Sequence, residues 1–295
     1  MRHRLFLTGC LFTLIVSVLL SFPISAAQQK NSIQIKGSDT MVNLVQAWAE
    51  EFMQRNPGRI VAVTGGGSGT GFASLIAGTC NIAMASRTIK QKEIDLAAKK
   101  GITPIEVKVA LDGLAVVAHP ANKVDKLTIA QLSDIFTGKI KNWKEVGGND
   151  AKIVLLSREV NSGTHVYFKE HVLRKGNEKG VEEFPPGALL LPSSQAIADE
   201  TAQNPSAIGY YGMGYISPKQ KVISVAFDEK TGFIAPTEEN VTSGKYPISR
   251  PLFLYVVETQ NFASLPSLTK EFVDFVLSTE GQKIVSEIDF VPIKK

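Results

Sequence analysis

Ile60-Val61-Ala62-Val63-Thr64-Gly65-Gly66-Gly67-Ser68-Gly69-Thr70-Gly71-Phe72-Ala73-Ser74-Leu75-Ile76 reads as a strand, a glycine turn and a helix in one stretch. Its first residues are β-branched or small and apolar, which suits a buried strand. Three glycines then allow a tight turn, and Phe72, Leu75 and Ile76 fall on one face at helical spacing. The same unit recurs on both sides. Upstream, Ile33-Gln34-Ile35 passes through Gly37-Ser38-Asp39-Thr40 into an apolar stripe at Leu44, Val45, Trp48 and Phe52, which stops before Pro57-Gly58. Downstream, Ile82-Ala83-Met84-Ala85 is followed by Ser86-Arg87 and a helix from Gln91 to Lys100, ended by Gly101. Strands and helices alternating at this short spacing predict a mostly parallel sheet covered by helices.

The pattern changes after Ile105. Val107 to Val117 is an apolar run longer than a usual strand, interrupted only by Asp112-Gly113. It predicts a strand crossing from one lobe to another, with a hinge near Asp112. A second α/β set follows, with a helix over Ile129 to Phe136, a strand over Ile153 to Leu156 and a helix after Ser162. Further on come a helix near Ala196 to Ala202 and a strand at Ala207 to Tyr210. Phe227 to Ser249 is rich in turn residues and reads as a return path; Pro251 to Val257 is a strand. A closing helix is expected over Glu271 to Ile284, with Leu265, Leu268, Phe272, Phe275 and Val276 on its buried side. The expected organisation is a two-lobe α/β fold: residues 28–112 plus 250–295 form lobe I, and residues 113–249 form lobe II. A cleft between the lobes is the natural ligand site, because open α/β sheets bind ligands beyond the C-terminal ends of their strands.

Residues 1–27 read as an export signal that is cleaved. Arg2 and Arg4 form a basic start, Leu5 to Leu20 an apolar core and Ser25-Ala26-Ala27 a small-residue cleavage site. Leu7-Thr8-Gly9-Cys10 resembles a lipidation box but precedes most of the apolar run, where such a box should follow it. Removing the signal takes two arginines and no acidic residue from the 32 basic and 28 acidic side chains, so the mature net charge is +2. With no block of like charge, neither nucleic acid nor an anionic membrane surface is the expected partner. Only Cys80 survives cleavage. An intramolecular disulfide is therefore excluded, and the apolar neighbours of Cys80 predict a buried, inert thiol.

Ser-Gly-Thr occurs twice, at 68–70 and 162–164, and Ser38 and Thr40 make a third hydroxyl-bearing turn. Each opens a helix. A helix start has unpaired N–H groups and the positive end of the macrodipole, and Ser and Thr hydroxyls add donors of adjustable direction. Arg158, four residues before Ser162, adds a planar fork able to bind two oxyanion oxygens. Ser86-Arg87 adds another hydroxyl and another cation, with Arg87 read as a charge at the rim or behind the contacting residues rather than a direct ligand. The combination points to a cage for a small tetrahedral oxyanion. The plainer readings are N-capping serines and a surface ion pair of Arg158 with Glu159 or Glu170. A carboxylate in such a cage would accept a proton from hydrogen phosphate and repel sulfate. Asp39 is a candidate for that role and also for N-capping, whereas Asp112 reads first as a hinge residue.

Other chemistries fail on spacing. A Walker loop needs Lys after its last glycine, but Phe72 follows Gly71; dinucleotide and nucleophile-elbow fingerprints both need glycine where Thr70 stands. After cleavage the chain keeps His119, His165 and His171 with no metal-ligand spacing, so no metal, cofactor or catalytic residue is expected. An exported phosphatase or esterase using Ser68 or Ser162 stays as the enzyme alternative.

Gly37 to Met41, Gly65 to Gly71, Ala85-Ser86-Arg87, Leu111 to Val117 and Arg158 to Thr164 together resemble the phosphate-binding proteins of ABC phosphate transporters, of the type II periplasmic binding fold. The motifs occur in family order over nearly the whole mature chain. The resemblance implies a periplasmic protein, expected to be a monomer, that binds inorganic phosphate without chemistry and docks on a membrane permease. Carried over by position, it implies phosphate contacts from Ser38, Thr40, Ser68, Ser86, Arg158, Ser162, Gly163 and Thr164. Many members carry Asp where this chain has Ser86, and that Asp accepts the phosphate proton; here Asp39 is the carboxylate left for the role. Sulfate, molybdate or tungstate are the alternative ligands within the same fold.

Overall fold

The computed structural model describes residues 31–177, 179–258 and 267–293. The expected signal at 1–27 and the expected core residue Leu265 lie outside the described residues. The first half builds as its periodicity predicts: β1 (Ser32–Gly37), α1 (Val42–Arg55), β2 (Ile60–Thr64), α2 (Ser68–Ala77), β3 (Ile82–Ala85) and α3 (Gln91–Lys99). β2, β1 and β3 run parallel in that order. β4 (Thr103–Ala118) then crosses the molecule. Its residues from Thr103 to Gly113 pair with a late strand, and those from Leu114 to Ala118 pair with strands of the second half.

That second half comprises β5 (Lys126–Thr128), α4 (Ile129–Phe136), β6 (Val154–Arg158), α5 (Gly163–Phe168), β7 (Leu189–Leu191), α6 (Ser194–Gln203), β8 (Ala207–Gly212) and β9 (Lys221–Ala226). β6 is parallel to both β7 and β8. After α7 (Glu238–Thr242), β10 (Ser249–Glu258) returns to the first half and inserts between β3 and β4, antiparallel to both. Its pairing with β4 slips between Leu252 and Phe253, which oppose Ala110 and Lys108 and leave Val109 as a bulge.

Each half has its own aromatic packing. In the first, the Trp48 indole N–H donates to the Gly281 carbonyl at 2.7 Å, and Phe52 meets Phe272 edge-on at 5.4 Å. In the second, Phe168 stacks on Tyr210 at 3.7 Å, with Phe136 edge-on to Phe168 at 4.8 Å.

The closing helix differs from expectation. It is two helices, α8 (Ser267–Val276) and α9 (Thr279–Glu287), rather than one over Glu271 to Ile284. Ser278 is extended (φ −72°, ψ 168°) and its Oγ accepts from the Gly281 amide at 3.2 Å, a capping serine that starts a new helix. A Cβ on Gly281 would lie 2.2 Å from the Phe275 carbonyl oxygen, so only glycine allows the corner to be this tight. The return path from Phe227 to Ser249 is also less bare than its composition suggests, since it carries α7 and a bridge between Val225 and Ile234.

Candidate functional site

The site forms where β1 and β3 end, where α2 begins and where β6 delivers Arg158 toward α5. Gly37 adopts φ +142°, and a Cβ there would sit 2.1 Å from the Met84 carbonyl oxygen. This glycine lets the chain turn out of β1 against β3, and the Ser38 amide then donates to Met84 O at 2.7 Å. The turn sets Ser38 beside Ser86, and Ser38 Oγ donates to Ser86 Oγ at 2.9 Å. Gly67 (φ +95°) precedes Ser68, the first residue of α2, whose Oγ accepts from the Ser86 amide at 3.0 Å. Three hydroxyls distant in sequence thus meet at the C-terminal strand ends, all buried.

The second half faces them closely. Ser162 caps α5, its Oγ accepting from the Thr164 and His165 amides at 3.2 and 3.4 Å. A hydroxyl has one hydrogen and two lone pairs, so Ser68 and Ser162, already accepting, keep their hydrogens to donate. Gly163 stands against the first half so tightly that a Cβ would lie 2.3 Å from Ser68 Oγ and 2.6 Å from Ser86 Oγ. Thr164 Oγ1 is 2.7 Å from Thr40 Oγ1. Asn161 reaches the glycine turn: its carbonyl accepts from the Gly69 amide at 3.0 Å, and its Nδ2 donates to Gly66 O at 2.8 Å and Thr70 Oγ1 at 3.2 Å.

Ser38, Thr40, Ser68, Ser86, Ser162, Gly163 and Thr164 are therefore brought together, as the motif reading predicts. Asp39 is placed differently. Its carboxylate accepts from the Ser194 amide at 3.0 and 3.3 Å and lies 3.6 Å from Arg158 Nη2, while Tyr215 OH donates to its backbone carbonyl at 3.0 Å. It caps no helix of its own; it meets the start of α6 across the site. Arg158 is buried, and it is not the surface ion pair weighed as its plainer reading. Its guanidinium donates to Leu191 O at 3.3 Å, Pro192 O at 2.8 Å and Ser194 Oγ at 3.0 Å, which uses three of its five N–H groups. Arg87 is turned away from the hydroxyls, behind the site rather than at its rim. It grips Glu93 at 2.7 and 2.8 Å and Thr88 O at 2.9 Å, and lies 4.9 Å over the Phe72 ring.

Sequence reasoning missed Arg250. It is fully buried and donates to Asp112 Oδ2 at 2.8 and 3.0 Å, to Ser86 O at 3.0 Å and to Thr164 Oγ1 at 2.9 Å. Asp112, fully buried as well, also accepts from the Met213 amide at 3.0 Å. Burial pushes its carboxyl above the usual range, against the opposing pull of Arg250. Behind Arg158, His165 Nδ1 lies 3.1 Å from Ser157 Oγ, which is 2.7 Å from Tyr210 OH. Burial pushes this imidazole down to about 4, so it is neutral at pH 7. Cys80 is buried and its thiol is pushed up to about 11, chiefly by desolvation, which makes it inert. Among the described residues, no three His, Cys, Asp or Glu side chains converge as a metal site would.

A model of the PBP superfamily domain matches residues 25–280. The phosphate-binding protein PstS of Pseudomonas aeruginosa is 34% identical over 270 residues, covering 87% of this chain and 81% of that one. The chain belongs to the phosphate-binding branch of the PBP superfamily. Another PBP relative, the Bacillus subtilis phosphate-binding protein PstS, is 36% identical over 264 residues, covering 89% of this chain and 81% of that one. A Clostridium perfringens crystal structure with bound phosphate, assigned to phosphate ABC transport, superposes with a TM-score of 0.77 at 34% identity. It covers 90% of this chain and 100% of that one. The architecture is the two-lobe type II fold of these binding proteins, with β4 and β10 running between the halves.

Proposed function

We propose that this protein captures inorganic phosphate outside the cytoplasm and delivers it to the permease of an ABC transporter, without chemistry of its own. The observation that carries the reading is the meeting of Ser38, Ser68 and Ser86 with Gly163 and Thr164 across the cleft. The proposed ligand set is Ser38, Thr40, Ser68, Ser86, Arg158, Ser162, Gly163 and Thr164. A buried dianion is costly unless each oxygen is bonded, and this set is rich in donors where acceptors would repel. Asp39 acts through Arg158 and Ser194 in this reading, holding them in place. Residues 28–112 with 250–295 and residues 113–249 are the two moving bodies. They hinge where β4 passes from Asp112 to Gly113 and β10 from Ser249 to Arg250. An anion touching both bodies supplies the differential affinity that favours closure. The mature protein works as a monomer after export.

Calorimetry on refolded, ligand-stripped mature protein tests this, with sulfate as competitor. The expected result is phosphate binding near micromolar, roughly −8 kcal/mol, that excess sulfate leaves unchanged. Arg158→Ala should weaken it at least about ten-fold, the worth of one charge-assisted hydrogen bond. No phosphate binding, or equal displacement by sulfate, overturns the reading.

A further inference from the structure

Arg250 lies outside the ligand set, yet its guanidinium joins three things at once. One edge donates through Nε and Nη2 to Asp112 Oδ2 at 3.0 and 2.8 Å. Nη1 donates to the Ser86 carbonyl at 3.0 Å, and Nη2 also donates to Thr164 Oγ1 at 2.9 Å. The same face of the hinge is packed to the limit: a Cβ on Gly212 would sit 2.7 Å from the Thr40 methyl and 3.0 Å from both Asp112 oxygens. A guanidinium has donors only. Thr164 Oγ1 must therefore accept where it faces Arg250, and its single hydrogen points away from the cation; Thr40 Oγ1, 2.7 Å away, can donate to its second lone pair, which leaves that hydrogen for the ligand. The Ser86 carbonyl at that strand end is occupied by the same side chain.

We infer that Arg250 is a positioning and specificity-determining residue of the anion site, acting through Thr164. By engaging the Thr164 lone pair and the Ser86 carbonyl, it turns that wall into donors only. A wall of donors favours an ionised oxyanion oxygen and rejects a protonated one, so Arg250 sets which oxygen of the ligand can face Thr164. The planar fork is needed, because a lysine ammonium is a point charge that cannot span Asp112, Ser86 and Thr164 together. The inference rests on the phosphate reading above.

The test is a double-mutant cycle by calorimetry on the mature chain, with inorganic phosphate as the titrant, for wild type, Arg250→Lys, Thr164→Val and Arg250→Lys with Thr164→Val. Thr164→Ser, which keeps the hydroxyl, is the conservative control and should bind within about three-fold of wild type. Each single change is expected to weaken phosphate about ten-fold, and the double variant should bind no worse than Thr164→Val alone. If Arg250→Lys does not fold, Arg250→Gln with Asp112→Asn replaces it in the same cycle, since that exchange leaves no unpaired buried charge. Losses that multiply in the double variant overturn the inference while leaving phosphate binding intact. A wild type that does not bind phosphate overturns the phosphate reading, and this inference falls with it.

Discussion

Arg250 and Arg158 each face an aspartate beside the same cluster of hydroxyls, and the two pairs are built differently. Arg250 and Asp112 oppose each other in the β4–β10 ladder, sit 2.8 Å apart and are both 0% exposed. Arg158 and Asp39 come from opposite sides of the cleft, stand 3.6 Å apart, and Asp39 is 11% exposed. The first pair is held by the strands that join the lobes. The second joins residues far apart in the chain, and Arg158 donates its hydrogen bonds to Leu191, Pro192 and Ser194 instead. One pair belongs to the sheet, and the other, under the proposed closure, is a contact that closing would make.

Asp112→Ala gives the largest contrast. It leaves the Arg250 charge buried without its partner, and should cost about 3–5 kcal/mol in urea unfolding. Replacing both residues by leucine should recover most of that loss, because apolar pairs of similar volume substitute well for buried ion pairs. Asn161→Ala probes the cross-cleft contacts. It removes two side-chain hydrogen bonds to the glycine turn and should weaken phosphate roughly five-fold, about 1 kcal/mol. Unfolding of the ligand-free protein should hardly move. Asp39→Asn is the smallest. Ligand-free stability should change by less than about 0.5 kcal/mol, whereas small-angle scattering in saturating phosphate should report a less compact particle. If Asp39→Asn destabilised the ligand-free protein as much as Asp112→Ala, the distinction between scaffold and closure contact would be lost.

The parts of the site that were legible in the sequence are those built from local chemistry. Ser38, Ser68 and Ser162 announce themselves because a strand, a turn hydroxyl and a helix follow one another within a few residues. Gly67 and Gly163 share those turns. Arg250 carries no such mark. It is a lone basic residue before Pro251 at the head of an apolar strand, 138 residues from Asp112 and 86 from Thr164. Only the insertion of β10 between β3 and β4 brings it under the hydroxyls, and antiparallel pairing over that separation leaves no local signal. Asp39 reads as a cap for its own turn for a related reason: the Ser194 amide it accepts from lies 155 residues away and leaves no local signal. The break at Ser278 was legible in principle, since serine is a favoured N-cap and Glu280 follows it in the first turn, but the apolar stripe continuing on both sides hid it.

The insertion of β10 also bears on how the chain is made. The strand that completes the first sheet is the last of the described strands to be synthesised, yet it lies between β3 and β4 rather than at an edge. Until residues 249–258 emerge, β3 and the first part of β4 have exposed edges with nothing to pair. Non-local pairing of this kind delays folding, because loop closure must precede its reward. A nascent chain that stops short of residue 249 should therefore lack a complete first sheet and stay largely unfolded.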